Sequence, residues 1–279
     1  MLRKITTRQT QGFLANYRLP DLGFTPHEKL PETIHPIWDA LHTGNPALAL
    51  TRARHILDAQ RLFAASERAA LKVGLAAAEL YSGATDRARR QAGRSLDLFP
   101  GQWSAHRIHL SILAIQRAFK AAYMHLSNLE IARPVPVWDE PLRRIDRLHA
   151  LASWSWRLGE WETVAGHLNE AYPKGLPSMP TEVLEDWFRL SLYRNRPEDA
   201  AAAAAILIAE RPAELADELL QTIVQSGWTK EALPLYRNAF SREPQSQLLR
   251  RRLVALCIRE GKLDEARALT KPGALSLAA

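Results

Sequence analysis

The sequence predicts an all-α fold, an α-solenoid of about seven helix-turn-helix repeats. A pattern of a turn residue, an alanine five positions later and often a closing proline returns about every 34 residues, as in Gly83, Ala88 and Pro100. Hydrophobic residues make up 47% of the chain, enough for a continuous core. The alternating β-branched runs that favour strands are missing. Because a fixed period of this size indicates stacked supersecondary units, we expect a helical solenoid.

The first element of each repeat is a helix, helix A, followed by a tight turn. The turn needs a residue that tolerates a left-handed backbone, and glycine or asparagine does so at low steric cost. Counting in register predicts seven turns, with arginine in one glycine position and asparagine in another. The predicted turn residues are Gly44, Gly83, Arg117, Gly159, Asn195, Gly227 and Gly261.

The second element, helix B, carries a small residue where it crosses helix A, which lets the two axes approach closely. This position holds Ala49, Ala88, Ala122, Ala200, Ala232 and Ala266, with Val164 in the fourth repeat. A proline then ends helix B, because proline has no N–H to continue the helix and disfavours helix in the residue before it. The closing prolines are Pro100, Pro134, Pro212 and Pro244.

The pattern is clearest in the stretches YSGATDRARRQAGRSLDLFP (81–100), RPEDAAAAAAILIAERP (196–212), SGWTKEALPLYRNAFSREP (226–244) and EGKLDEARAL (260–269). In these stretches the chain resembles the tetratricopeptide (TPR) repeat family, and the resemblance extends over roughly residues 30 to 270. It implies a right-handed α-solenoid of TPR-like repeats with a concave groove that binds proteins. A helix A position that is small in the family holds larger residues here, namely Leu110, Phe188, Leu220 and Val254.

The chain organisation predicted from these repeats is one elongated solenoid domain, residues 29–279, after a basic N-terminal arm, residues 1–28. Insertions near 135–144 and 173–180 interrupt the period and should form loops at one edge. We expect the arm to pack on the first repeats or on a partner. Residues 1–20 contain no acidic residue and no continuous apolar segment, which argues against a secretory signal and leaves an organellar transit peptide open as an alternative.

The cellular location expected from the sequence is cytoplasmic. No apolar run of 18 residues exists to span a membrane. The single cysteine, Cys257, excludes an intramolecular disulfide framework and fits a reducing compartment.

A partner-binding site is predicted from the helix A positions that line the groove in the resembled family, together with a tryptophan in the first insertion. Interface hot spots favour aromatic rings and arginine, because rings bury much area and guanidinium groups pair with carboxylates. The predicted partner-binding residues are Tyr81, Arg107, His149, Trp156, Arg157, Arg189, Tyr193 and Trp138. For Trp156 and Tyr193 a place in the core between repeats stays open as an alternative.

The positive charge is concentrated in the first half of the chain. Residues 1–140 contain 18 Lys and Arg against 12 Asp and Glu, whereas residues 141–279 contain 19 against 18. The predicted basic patch consists of Arg3, Lys4, Arg8, Arg87, Arg89, Arg90 and Arg94. Such a patch is a solvated helix face, or a site for an acidic protein surface, nucleic acid or anionic lipid. Nucleic acid is the less expected ligand, because residues 87–94 contain no aromatic residue that could stack on bases.

Catalytic motifs and metal-ligand sets are missing from the sequence. His106 and His109 are three residues apart, but no carboxylate or cysteine completes a metal set, and no phosphate loop, nucleophile elbow or HExxH motif occurs. We therefore predict no cofactor and a non-enzymatic role.

The predicted function is a protein-protein interaction scaffold or adaptor, a component or assembly factor of a larger complex. It would dock partner proteins, acidic ones among them, through its groove and its uncapped C-terminal repeat, which could also support a homo-oligomer. The alternative is a basic solenoid that binds nucleic acid or an anionic membrane surface through the arm and the early-repeat arginines.

Overall fold

The computed structural model describes residues 12–18, 30–58, 62–129, 139, 142–209 and 211–270. Within this part of the chain the fold is all α, with fifteen α-helices, two short 3-10 turns and no strand. The helices are Phe13–Asn16 (α1), His35–His42 (α2), Pro46–Leu57 (α3), Ala65–Tyr81 (α4), Thr85–Leu98 (α5), Trp103–Ile115 (α6), Phe119–Ser127 (α7), Arg144–Leu158 (α8), Trp161–Ala171 (α9), Thr181–Tyr193 (α10), Pro197–Leu207 (α11), Ala213–Gln225 (α12), Thr229–Arg242 (α13), Gln247–Arg259 (α14) and Leu263–Thr270 (α15).

From α2 onward, A helices and B helices alternate along the chain, and within each of the two compact units described below consecutive helices pack against each other, as expected for an α-solenoid. All seven predicted turn residues have positive φ, including the two that are not glycine, Arg117 at 56° and Asn195 at 53°. After each of these turns a backbone N–H reaches back five residues to a carbonyl of helix A, at 2.7 to 3.2 Å. This bond closes a Schellman motif and satisfies a carbonyl that the end of the helix leaves unpaired.

The predicted crossing alanines are buried where expected. None of the six is more than 5% exposed, and Val164 in the fourth B helix is fully buried. The larger residues in the family's small position also lie inside the protein: Leu110, Phe188 and Leu220 are buried, and Val254 is half-buried. The helix pairs therefore accommodate larger side chains than the resembled family uses at that position.

The described residues form two compact units. In the unit from Tyr17 to Glu160, α4 and α5 make the most extensive helix contact, and Leu71, Ile108 and Ile112 are fully buried in the core. The other unit contains residues 12–16 and the described residues from Trp161 onward, and its core includes the fully buried Leu168 and Leu190.

The two predicted insertions are described to different extents. In the second, Gly175 has a φ of 79° and precedes a 3-10 turn over Leu176–Ser178. In the first, residues 135–138, 140 and 141 lie outside the described residues, but Asp139 is described and buried. Its carboxylate accepts a hydrogen bond from the Ser104 backbone N–H at 3.0 Å and another from the Ser104 hydroxyl. Asp139 thus satisfies a donor at the start of α6, where negative charge is favourable.

Candidate functional site

The helix A residues predicted to bind a partner differ in how far they reach solvent. In the unit from Tyr17 to Glu160, Tyr81 at the end of α4 is 50% exposed, Arg107 on α6 is half-buried and Arg157 on α8 is exposed. Trp156, next to Arg157, is only 3% exposed and its ring lies in the core. Trp156 therefore lies in the core, which is the alternative that the sequence left open for this residue.

His149 and Arg157 on α8 are both held by aromatic rings. The buried His149 ring meets the Tyr17 ring edge to face at a centroid distance of 5.6 Å, and burial lowers the pKa of His149. The Arg157 guanidinium carbon lies 4.7 Å from the centroid of the Phe119 ring, a cation–π contact. Partial burial lowers the pKa of Arg157, and the charge of Arg117 lowers it further. The cation–π contact restrains Arg157 on the surface of α8.

In the unit that contains α10, Arg189 and Tyr193 are half-buried and already have partners within the chain. Arg189 Nη1 lies 2.7 Å from Asp186 Oδ1, and Arg189 Nη2 lies 3.6 Å from Glu185 Oε2. The Tyr193 ring stacks on Trp161 with centroids 4.6 Å apart and planes 16° from parallel. Arg189 is therefore engaged by carboxylates of its own helix, and Tyr193 by a ring of α9.

The four arginines predicted as a basic patch on helix B all lie on α5, but they face two directions. Arg87, Arg90 and Arg94 are exposed, and their charges act on Glu79 of α4. Burial raises the pKa of Glu79, and the arginines oppose that rise. Arg89 instead donates a hydrogen bond to the Gln116 side chain, at the turn after α6. The exposed patch on α5 thus has three arginines rather than four.

Some predicted site residues cannot be placed. Trp138 and the arm residues Arg3, Lys4 and Arg8 lie outside the described residues. The described part of the arm, residues 12–18, contacts α10 through Leu14 and α8 through Tyr17, whose hydroxyl donates to the Asp146 carbonyl at 3.1 Å. These helices belong to the fourth and fifth repeats, whereas we expected the arm to pack on the first repeats or on a partner.

Two groups that sequence reasoning missed are polar networks in which at least one member is buried. His106 and His109 of α6 meet His125 of α7, with 3.1 Å between His106 Nδ1 and His125 Nε2. Burial, together with the neighbouring His109 and His106, lowers the pKa of His125 to about 4. In the other network, the fully buried Tyr236 of α13 bonds to Asp217 of α12. The sequence signal for the first was the three-residue spacing of His106 and His109, and its partner on the next helix could not be seen without the fold.

The described residues contain neither a metal-binding cluster nor a membrane-spanning helix. In these residues no group of three or more His, Cys, Asp or Glu side chains is arranged to hold a metal ion. Every described helix is too short or too polar to span a bilayer.

The architecture defines a helical repeat protein in which an A helix, a left-handed turn and a B helix recur. A tetratricopeptide repeat model matches residues 224–277, which contain α13, α14 and α15. The match and the all-helical fold fit a TPR-like repeat protein, the family that the sequence pattern resembles. Repeats of this family generally mediate protein–protein interactions and are typically non-catalytic. No curated protein sequence matches the chain.

Proposed function

We propose that this protein is a non-enzymatic scaffold or adaptor that docks a partner protein on its A helices, as a component or assembly factor of a larger complex in the cytoplasm. One observation carries the proposal. In the unit from Tyr17 to Glu160, successive A helices bring Tyr81, Arg107 and Arg157 to the surface, wholly or in part. Aromatic and arginine side chains dominate the binding energy of protein interfaces.

The contact is assigned to the exposed side chains and not to the whole predicted set. Trp156 and His149 are buried and pack inside the protein, so a partner does not contact them directly. Tyr81 and Arg157 are exposed and can lose contact with solvent when a partner binds. The Arg157 guanidinium, restrained on the Phe119 ring, loses less side-chain freedom when it pairs with a carboxylate.

An acidic partner surface is supported by the charge of this half of the chain. Residues 1–140 carry six more basic than acidic residues, 18 against 12. Complementary charge steers association more than it strengthens the final complex, and salt screens it. We therefore expect the association rate to fall as ionic strength rises, with a smaller effect on the dissociation rate.

The test is an affinity purification with cross-linking from the native organism, with the full chain and with nuclease treatment in parallel. The variant Tyr81→Ala/Arg157→Glu should reduce the recovered partner set by about tenfold or more, the cost of one hot-spot residue. A matched control, Met124→Ala/Arg54→Glu, changes exposed residues of B helices and should recover the set unchanged. Equal recovery with both variants would contradict the assignment to the A helices.

A second candidate function, binding to nucleic acid or an anionic membrane, is favoured by the three exposed arginines of α5. Arg87, Arg90 and Arg94 are spaced to lie on one face of that helix. Binding of labelled RNA or anionic vesicles through this face should weaken steeply with salt and be lost in Arg90→Glu. Arg89→Glu is the matched control, because Arg89 faces Gln116. Loss of the purified set on nuclease treatment would favour this candidate over the scaffold.

Self-association through the C-terminal repeat is a further part of the proposal. Ile258 on α14 and Leu263 on α15 are exposed by 55% and 51%. Exposed apolar side chains on two neighbouring helices are suited to be covered by those of a second copy.

A further inference from the structure

A short segment of the N-terminal arm, residues 12–16, is bound on the surface of α10. Leu14 is fully buried, and its backbone N–H donates to Asp186 Oδ2 at 2.5 Å. The segment forms one helical turn, in which the backbone N–H and the side-chain amide of Asn16 donate to the Gly12 carbonyl at 3.2 and 2.9 Å. The α10 surface therefore already holds a short peptide, supplied by the chain itself.

The fit at Gly12 is specific for glycine. Its φ is 122°, a conformation that other residues rarely adopt. A Cβ atom there would lie 2.1 Å from Asp186 Oδ1 and 2.6 Å from Arg189 Nη1. Arg189 is one of the residues predicted to contact a partner, and here its guanidinium lies beside Gly12 of the arm.

The acceptor for this segment is organised by the fold of α10. The Asp186 side chain is fully buried, and Arg189 Nη1 donates to Asp186 Oδ1 at 2.7 Å. The carboxylate is therefore fixed in place on α10, with its second oxygen directed to the backbone N–H of Leu14. If the segment leaves, the Asp186 carboxylate loses the Leu14 N–H, one of its donors, and has to find another donor in its place. The surface thus favours a replacement that supplies a backbone N–H and a small residue at the same places.

Building on the proposed scaffold function, we propose that residues 12–16 are an internal ligand, and that the partner segment for the α10 surface has the same chemistry. That segment is a single helical turn with a glycine two positions before a leucine, whose side chain is buried and whose N–H bonds to Asp186. The arm and the partner segment compete for one site. The apparent affinity for the partner is therefore the intrinsic affinity multiplied by the fraction of molecules in which the arm has left the site.

The test uses the full chain and a labelled peptide with the sequence of residues 10–16, TQGFLAN, as the probe. Gly12→Val should release the arm, because a side chain at this position collides with Asp186. Fluorescence anisotropy should then show saturable binding of the peptide to this variant, at least about tenfold tighter than to the wild type. Leu14→Asp, which releases the arm by placing a charge in an apolar site, should give the same gain.

Three controls make the result specific. Gly166→Val adds the same side chain to α9, where a Cβ meets no atom within 4 Å, and should leave peptide binding as weak as in the wild type. Adding Asp186→Asn to Gly12→Val should lower the affinity about tenfold. A peptide with valine in place of its glycine should not bind.

The outcomes separate this proposal from the scaffold function. Equal binding to Gly12→Val and wild type, or binding to neither, overturns the internal ligand while leaving the Tyr81 and Arg157 test untouched. A wild-type dimer in light scattering that is lost in Leu14→Asp would also overturn it, in favour of arm exchange between two copies. Hydrogen exchange at Leu14 should be protected in the wild type and fast in Gly12→Val, and equal rates count against the proposal.

Discussion

The stability of the C-terminal repeats is predicted to depend on one hydroxyl group, that of Tyr236. This residue of α13 is fully buried, donates to Asp217 Oδ1 of α12 at 2.7 Å and accepts from Gln221 Nε2 at 2.7 Å. Asp217 also lies 3.3 Å from Arg252 Nε of α14. Burial raises the pKa of Tyr236, and the hydrogen bond to Asp217 raises it further. Three successive helices thus meet at one buried polar network.

Tyr236→Phe removes the hydroxyl and keeps the ring. A hydrogen bond to a charged group contributes about 1.5–3 kcal/mol, and the buried Asp217 loses that donor. Gln221 is half-buried and can turn to water, and Arg252 still reaches Asp217, so both reduce the loss. We expect the local unfolding free energy of α12 to α14 to fall by about 2 kcal/mol, which is about a 30-fold rise in the open population.

The assay is native-state hydrogen exchange of α13 amides, supported by urea denaturation. Local exchange is the better measure, because a chain with two units need not unfold in a single step. Tyr81→Phe is the matched control, since it removes the same atom from a ring that is half exposed, and should change stability by less than about 0.5 kcal/mol. A double-mutant cycle with Asp217→Asn should show a coupling of at least about 0.5 kcal/mol. Equal effects of Tyr236→Phe and Tyr81→Phe, or no coupling, would refute the reasoning.

Three further perturbations test the repeat geometry and the histidine cluster. Arg117→Gly should raise the unfolding free energy by about 0.5–1 kcal/mol, because the φ of 56° at this position suits glycine better than arginine. Gly83→Ala, at a φ of 78°, should lower the unfolding free energy by about 1–2 kcal/mol. Urea denaturation measures both changes. In α11, Ala200→Leu fills a buried crossing position and should cost about 1–3 kcal/mol, whereas Ala202→Leu on the exposed face should be neutral. The lowered pKa of His125, about 4, means that the folded state favours the neutral ring. The contribution of neutral His125 to the unfolding free energy is complete above about pH 6.5. About 1–2 kcal/mol of it, after solvent screening, is lost as pH falls toward 4. The melting temperature should therefore change less with pH in His125→Gln than in the wild type.

The repeat geometry was predictable because it depends on local chemistry that returns at a fixed period. The strongest case is Arg117, which no single-residue preference would place at positive φ. The register was fixed by the preceding repeat, because Ala122 and Pro134 follow Ala88 and Pro100 at the same spacing at which Arg117 follows Gly83. The backbone then followed the period and not the residue type, and the N–H of Ala118 closes the same motif to Leu113.

The exposure of the site residues was predictable only in part. Tyr81 and Trp156 both occupy helix A positions that line the groove in the resembled family, yet one is half exposed and the other buried. Burial depends on what the neighbouring elements place over each ring, and a repeat pattern carries no information on that. The division of the α5 arginines has the same origin, because Arg89 turns to Gln116, a residue that lies 27 positions away.

The arm was the least predictable element, and the physical reason bears on its role. Residues 12–16 have no helical period, and a single turn has too few internal hydrogen bonds to persist alone in water. Its structure depends on Asp186, a carboxylate 172 residues from Leu14 that supplies the acceptor which the Leu14 N–H lacks within so short a helix. A segment that is ordered only by the surface it lies on is released when that contact is lost. Because the structure of the arm depends on the α10 surface, the sequence of the arm alone did not predict it. For the same reason, a segment that competes for this surface would displace the arm.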